Sequence, residues 1–209
     1  MRALAKICGI TRVEDAELAA GLGADYLGLN FWPGSKRRVT TEHAAVLAAA
    51  ARAASPKVQL VGLFVDQSDG EILGIATALT LDVVQLHGDE PPSLVAALTT
   101  RGLRVWKAHA ISGADDIAGL NAWPADAHLL DTPSVGRGGS GIPFDWAHAV
   151  AAVAAGYRVV LAGGLTPENV AAAIAQVRPF AVDVASGVES APGIKDPAQV
   201  QAFLAAARA

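Results

Sequence analysis

Short apolar runs alternate with alanine-rich stretches from one end of this chain to the other. The apolar runs predict strands near 3–8, 25–31, 58–65, 82–86, 103–108, 127–131, 157–162 and 181–185. They are rich in Val, Ile and Leu and are bounded by Gly, Asp or Pro, the pattern of buried parallel strands. The segments between them carry helix-start signals. Thr11–Glu14 and Ser68–Glu71 have capping-box spacing. Thr166-Pro167 and Asp196-Pro197 place a capping side chain ahead of a proline at the first helical position. Asp145 is placed to cap the helix that follows Phe144.

Eight strand–helix units over 209 residues average about 26 residues each, which predicts an α/β fold, a single (β/α)8 TIM barrel with one domain over 1–209. An open, doubly wound sheet is the alternative, because local patterning does not show closure. Against it, no G-x-G-x-x-G follows the first strand, and Gly21-Leu22-Gly23 precedes a strand instead of opening a helix. In a barrel, chemistry sits at the carboxyl ends of the strands. Those positions are polar or glycine-rich throughout: Cys8-Gly9, Asn30-Phe31, Asp66, His87-Gly88, Lys107, Asp131-Thr132, Gly163-Gly164 and Ser186-Gly187.

Composition narrows the function. At 52% hydrophobic and 17% charged residues, the chain has ample material for a core. Its net charge of -4 argues against nucleic acid as a partner. Arg52 and Arg158 interrupt the long apolar stretches, so no membrane span is expected. Met1–Lys6 lacks the apolar core of a signal peptide, which leads to the expectation of a soluble, cytoplasmic protein. A lone cysteine leaves no intramolecular disulfide and no thiolate cluster. The five histidines show no metal-binding spacing, and no cofactor motif is present, so neither metal nor cofactor is expected. Monomer and homodimer remain open.

Cys8 is the first candidate. By strand alternation it shares a face with Lys6 and Leu4, and a neighbouring ammonium and helix N-terminus would each favour its thiolate. A small buried hydrophobe is the plain alternative. Asp131 ends the run His128-Leu129-Leu130 on the inward face, where apolar walls could make it a general acid; a loop cap is the alternative. Asp183 on the last strand is the expected partner of Lys6. Gly139 (in Gly138-Gly139-Ser140-Gly141), Gly163, Gly164, Ser186 and Gly187 offer backbone N–H groups to an anion, and a short helix after strand eight would add its dipole. Ser140 does not fit a nucleophile elbow. Phe31–Arg38 is the one concentrated basic stretch, suited to a planar anionic ligand, with arginine for a carboxylate and rings for stacking; a solvated surface turn is the alternative. His87 and Asp183 complete the set of candidate substrate contacts.

These blocks together resemble the phosphoribosylanthranilate isomerase family. The matching residues are Lys6–Thr11, Gly28–Phe31 with Ser35-Lys36-Arg37, Val84–Gly88, Leu129–Thr132, Gly138–Gly141 with Phe144–Trp146, Ala162–Leu165 with Pro167–Val170, and Val182–Glu189 with Pro192-Gly193 and Lys195-Asp196. Ala185 stands where a serine is common in the family. The resemblance implies an Amadori rearrangement of N-(5-phosphoribosyl)anthranilate to 1-(2-carboxyphenylamino)-1-deoxyribulose 5-phosphate in tryptophan biosynthesis. It implies Asp131 as general acid, Cys8 as general base, Arg37 at the anthranilate carboxylate, and the glycine loops after strands seven and eight at the phosphate. The rivals are another phosphosugar barrel enzyme, an epimerase or a synthase-like lyase, and a silent barrel that only binds phosphorylated ligands.

Overall fold

A computed structural model describes residues 2–131 and 145–209. Strands and helices alternate: β1 (Leu4–Cys8), α1 (Val13–Gly21), β2 (Tyr26–Asn30), α2 (Thr41–Ala54), β3 (Gln59–Phe64), α3 (Asp69–Leu79), β4 (Val83–Leu86) and α4 (Pro92–Thr100). The order continues with β5 (Val105–Ala110), α5 (Ala114–Gly119), β6 (Ala127–Asp131), α6 (Trp146–Ala154), β7 (Val159–Leu161), α7 (Val170–Val177) and β8 (Ala181–Val184). A hairpin of β9 (Glu189–Ala191) and β10 (Ile194–Lys195) precedes α8 (Pro197–Ala206). All eight principal strands are parallel, and β8 pairs back onto β1 through Leu4–Ala181 and Lys6–Asp183, closing the barrel. The expected fold is therefore present, and the open sheet is excluded.

Strand alternation builds two cores. Tyr26, Val61, Val83, Trp106, Leu129 and Val160 fill the barrel interior, while a larger apolar layer joins the outer strand faces to the helices. The alanine-rich helices suit this second layer, because small faces let helices sit close to a sheet. Among the described residues no helix is long and apolar enough to cross a membrane.

Three of the expected caps form. Ser68 and Glu71 make a complete capping box, Asp145 accepts from the Ala147 N–H at 2.9 Å, and Asp196 accepts from Ala198 and Gln199 at 2.8 and 3.1 Å. Two do not. Helix α1 starts at Val13 without a side-chain cap, because the Thr11 hydroxyl donates to the Gly193 carbonyl of the β9–β10 hairpin instead. Helix α7 starts only at Val170: the Asn169 side chain accepts from the Thr166 N–H at 2.8 Å and donates to the Gly164 carbonyl at 2.9 Å, holding Thr166–Asn169 as a turn. After β8 the short helix expected there is a three-residue 3-10 helix, Ser186–Val188, and the hairpin follows it.

Lys107 is also relocated. Strand β5 runs to Ala110, beyond the expected 108, and places Trp106 and Ala108 inside, so Lys107 between them points outward. There it is buried against Glu90, at 3.1 Å, and donates to the Gly88 carbonyl at 2.7 Å. It lies outside the barrel interior, against the β4 strand-end loop, and does not line the cavity at the barrel mouth.

Candidate active site

A cavity of about 610 Å³ opens at the carboxyl ends of the strands. Its wall gathers Cys8, Arg37, His87, Asp131, Asp183, Gly163, Gly164, Ser186 and Gly187. Gly139 lies outside the described residues. Residues separated by the length of the chain thus meet because parallel strands all end at the same mouth.

Cys8 ends β1 and points inward above Lys6. Lys6 is fully buried, with Nζ 2.9 Å from Asp183 Oδ2, so the pairing expected from the sequence is formed. Burial alone would push Lys6 down, but the Asp183 carboxylate and Cys8 hold it above the ordinary lysine value. The thiol departs from expectation. Burial pushes Cys8 above the usual thiol range, and the nearby Asp183 carboxylate adds to this; Lys6 and Lys195 only partly oppose it. Lys6, the cation expected to stabilise the thiolate, is shared with Asp183.

The acid side is built differently. Asp131 ends β6 with its Oδ2 3.9 Å from His87 Nε2, each side chain 16% exposed. The Gln85 amide meets His87 Nδ1 at 3.1 Å. An amide N–H donating to Nδ1 puts the ring proton on Nε2, the nitrogen facing Asp131. Gln85 is completely buried, and its Oε1 has no hydrogen-bond partner among the described residues; the same holds for Asp183 Oδ1. Gln85 was not singled out from the sequence. Its signal was a polar side chain in the otherwise apolar strand Val83–Leu86, on the inward face.

Arg37 reaches the cavity across Gly9, and a Cβ at Gly9 would overlap the Arg37 side chain. Gly9 also takes φ +74°, so glycine is required there on both counts. The guanidinium is already engaged: Nε and NH2 bond Glu189 at 2.8 and 2.6 Å. The loops after β7 and β8 also touch closely, since a Cβ at Gly187 would meet the Leu165 carbonyl. These loops present exposed backbone to one corner of the cavity, a geometry suited to a phosphate.

The family model described as N-(5'phosphoribosyl)anthranilate (PRA) isomerase matches residues 5–206. The chain belongs to the phosphoribosylanthranilate isomerase family. A curated N-(5'-phosphoribosyl)anthranilate isomerase from Citrifermentans bemidjiense is 47% identical over 204 residues, covering 97% of this chain and 96% of the relative. The crystal structure of phosphoribosyl anthranilate isomerase from Thermotoga maritima superposes with a TM-score of 0.90 at 42% identity, covering 98% of each chain. A phosphoribosyl anthranilate isomerase solved with reduced 1-(o-carboxyphenylamino)-1-deoxyribulose 5-phosphate superposes with a TM-score of 0.86 at 40% identity, again covering 98% of each. Phosphoribosylanthranilate isomerase membership thus agrees with the resemblance read from the motif blocks.

Proposed function

We propose that this chain, acting as one barrel domain, catalyses the Amadori rearrangement of N-(5-phosphoribosyl)anthranilate, the isomerisation step of tryptophan biosynthesis. What supports the reading most is that one cavity collects a thiol from β1, a carboxylate from β6 and the paired glycine loops after β7 and β8. The relative crystallised with a reduced form of the product phosphate adds support for a phosphorylated ligand of this class.

In this mechanism Asp131 donates a proton to the ribose ring oxygen. The C1–O bond breaks as the nitrogen lone pair forms a protonated Schiff base at C1. Cys8, its thiol proton first lost to solvent, then removes the C2 proton as a thiolate, and the electron pair moves toward nitrogen to give a neutral enolamine. Return of a proton to C1 and loss of the C2 hydroxyl proton complete the ketone. The sequence is redox-neutral. A protonated Schiff base also brings a positive charge beside Cys8, which favours the thiolate at the step that needs it. Arg37 binds the anthranilate carboxylate, His87 and Asp183 contact the sugar, and Gly163, Gly164, Ser186 and Gly187 hold the phosphate with backbone N–H groups.

The test uses the fluorescence of the anthranilate moiety. Freshly prepared N-(5-phosphoribosyl)anthranilate should lose its fluorescence when the purified protein is added, and should keep it with the Cys8→Ala variant. Turnover of substrate by Cys8→Ala at the wild-type rate, or no turnover by the wild type, contradicts the reading.

A further inference from the structure

Behind the cavity wall lies a second ionic cluster that supplies no group to the substrate. Lys195, on β10, is buried, and its ammonium has three protons and three acceptors: the Cys8 carbonyl at 2.6 Å, Glu189 Oε1 at 2.8 Å and the Ala185 carbonyl at 3.1 Å. Its own backbone N–H donates to the buried Asp15 on α1 at 3.1 Å. Glu189 in turn takes both Nε and NH2 of Arg37. Neither Lys195 nor Glu189 lines the cavity.

We propose that the buried Lys195–Glu189 pair is a positioning element that sets the Arg37 guanidinium and the Cys8 end of β1 in one geometry. The cluster joins the three parts that the reaction needs in register: the base at the end of β1, the loop that leads into Ser186, and the arginine on the β2 loop. A free arginine side chain samples many rotamers. Bidentate attachment to Glu189 removes that freedom and leaves the NH1 edge for a ligand. A buried ion pair is a poor source of stability, because desolvation offsets its attraction. The pair here holds two carbonyls at the site and orients a cation, which is work an apolar replacement could not do.

The cluster also acts on the thiol electrostatically. The groups that face Cys8 are Lys6, Asp183, Lys195 and Arg37. Burial pulls Lys195 below the ordinary lysine value, against the opposing pull of Glu189, and its positive charge favours the Cys8 thiolate.

Cys8 is the only cysteine, so its alkylation by iodoacetamide reports its ionisation with no substrate present. Lys195→Met should move the pH midpoint of alkylation upward by about half a unit or more, and Lys195→Arg should recover part of that shift. Glu189→Gln should raise KM about tenfold, with a much smaller change in kcat. In an Arg37→Ala background, Glu189→Gln should add nothing further to KM, because the carboxylate acts through the arginine. The KM arms rest on the proposed isomerase reading. Failure of that reading appears as an inactive wild type, while the alkylation arm still tests the cluster. An unchanged alkylation profile in folded Lys195→Met, or multiplying KM effects of Glu189→Gln and Arg37→Ala, overturns the proposal. If Lys195→Met does not fold, the Arg37–Glu189 cycle decides it.

Discussion

The two sides of the barrel mouth solve opposite electrostatic problems. On the β1 side, Cys8 sits among charges, with Lys6, Asp183, Lys195 and Arg37 all acting on it. On the β4–β6 side, Asp131 faces His87, which is held by the neutral amide of Gln85. A buried thiol must gain a charge to act as a base, so it needs cations at hand. A carboxyl group that donates a proton needs an oriented hydrogen-bonding partner more than it needs charge. If Cys8 and Asp131 are the base and acid proposed above, one cavity serves both roles by giving each wall its own electrostatic surroundings.

The largest effects should come from the two groups themselves. Cys8→Ala and Asp131→Asn should each lower kcat by about two to four orders of magnitude. Near-normal turnover in either removes that side of the comparison. Next comes the ionic support of the thiol side. Asp183→Asn leaves the fully buried Lys6 without its carboxylate, which should cost about 3–5 kcal/mol in chemical denaturation. An unchanged denaturation midpoint would show that the Lys6–Asp183 pair carries no such burden.

Arg37→Ala should raise KM about tenfold or more while changing kcat less, since it removes binding already present before chemistry. Steady-state kinetics at saturating substrate separates the two. An unaltered KM would take Arg37 out of the carboxylate site and leave it a purely structural partner of Glu189.

The last effect lies away from the mouth and shows only below neutral pH. His109 and His128 meet at 3.1 Å on the outer face of β5 and β6. Burial, then His128 and Lys107, push His109 down to about 3. Between that value and the unfolded histidine value of about 6.5, the unfolded chain binds the extra proton, so stability should fall as pH drops through this window. His109→Leu should flatten that part of the pH–stability curve and leave the curve above pH 7 unchanged. An identical acid limb in the variant would show that the imidazole pair does not set it.

Much of the barrel was legible in the sequence because each strand is a short run of β-branched and aliphatic residues closed by Gly, Asp or Pro. Capping chemistry was legible where the side chain had no competing partner, as at Ser68 and Asp196. It failed at Thr11, whose hydroxyl is claimed by the distant Gly193 carbonyl, and at Thr166, whose backbone N–H is taken by the Asn169 side chain in a local turn that delays the helix. The β9–β10 hairpin was missed because two- and three-residue strands show no period. At the site, residue types and strand ends pointed to the cavity wall, but its electrostatics did not follow. Lys6 two residues before Cys8 suggested a lowered thiol value; burial, and a Lys6 already committed to Asp183, reverse the sign. The Arg37–Glu189–Lys195 chain was equally hidden, since sequence proximity says nothing of the 152-residue separation that Arg37 and Glu189 close.

The central claim is that Cys8 acts as a proton-abstracting base and forms no covalent bond to substrate. A carboxylate can take a proton in place of a thiolate, so kcat/KM of Cys8→Asp against that of Cys8→Ala tests it most directly. Cys8→Asp should retain clearly more activity than Cys8→Ala. Equal, fully lost activity in both variants, with both folded, would contradict it.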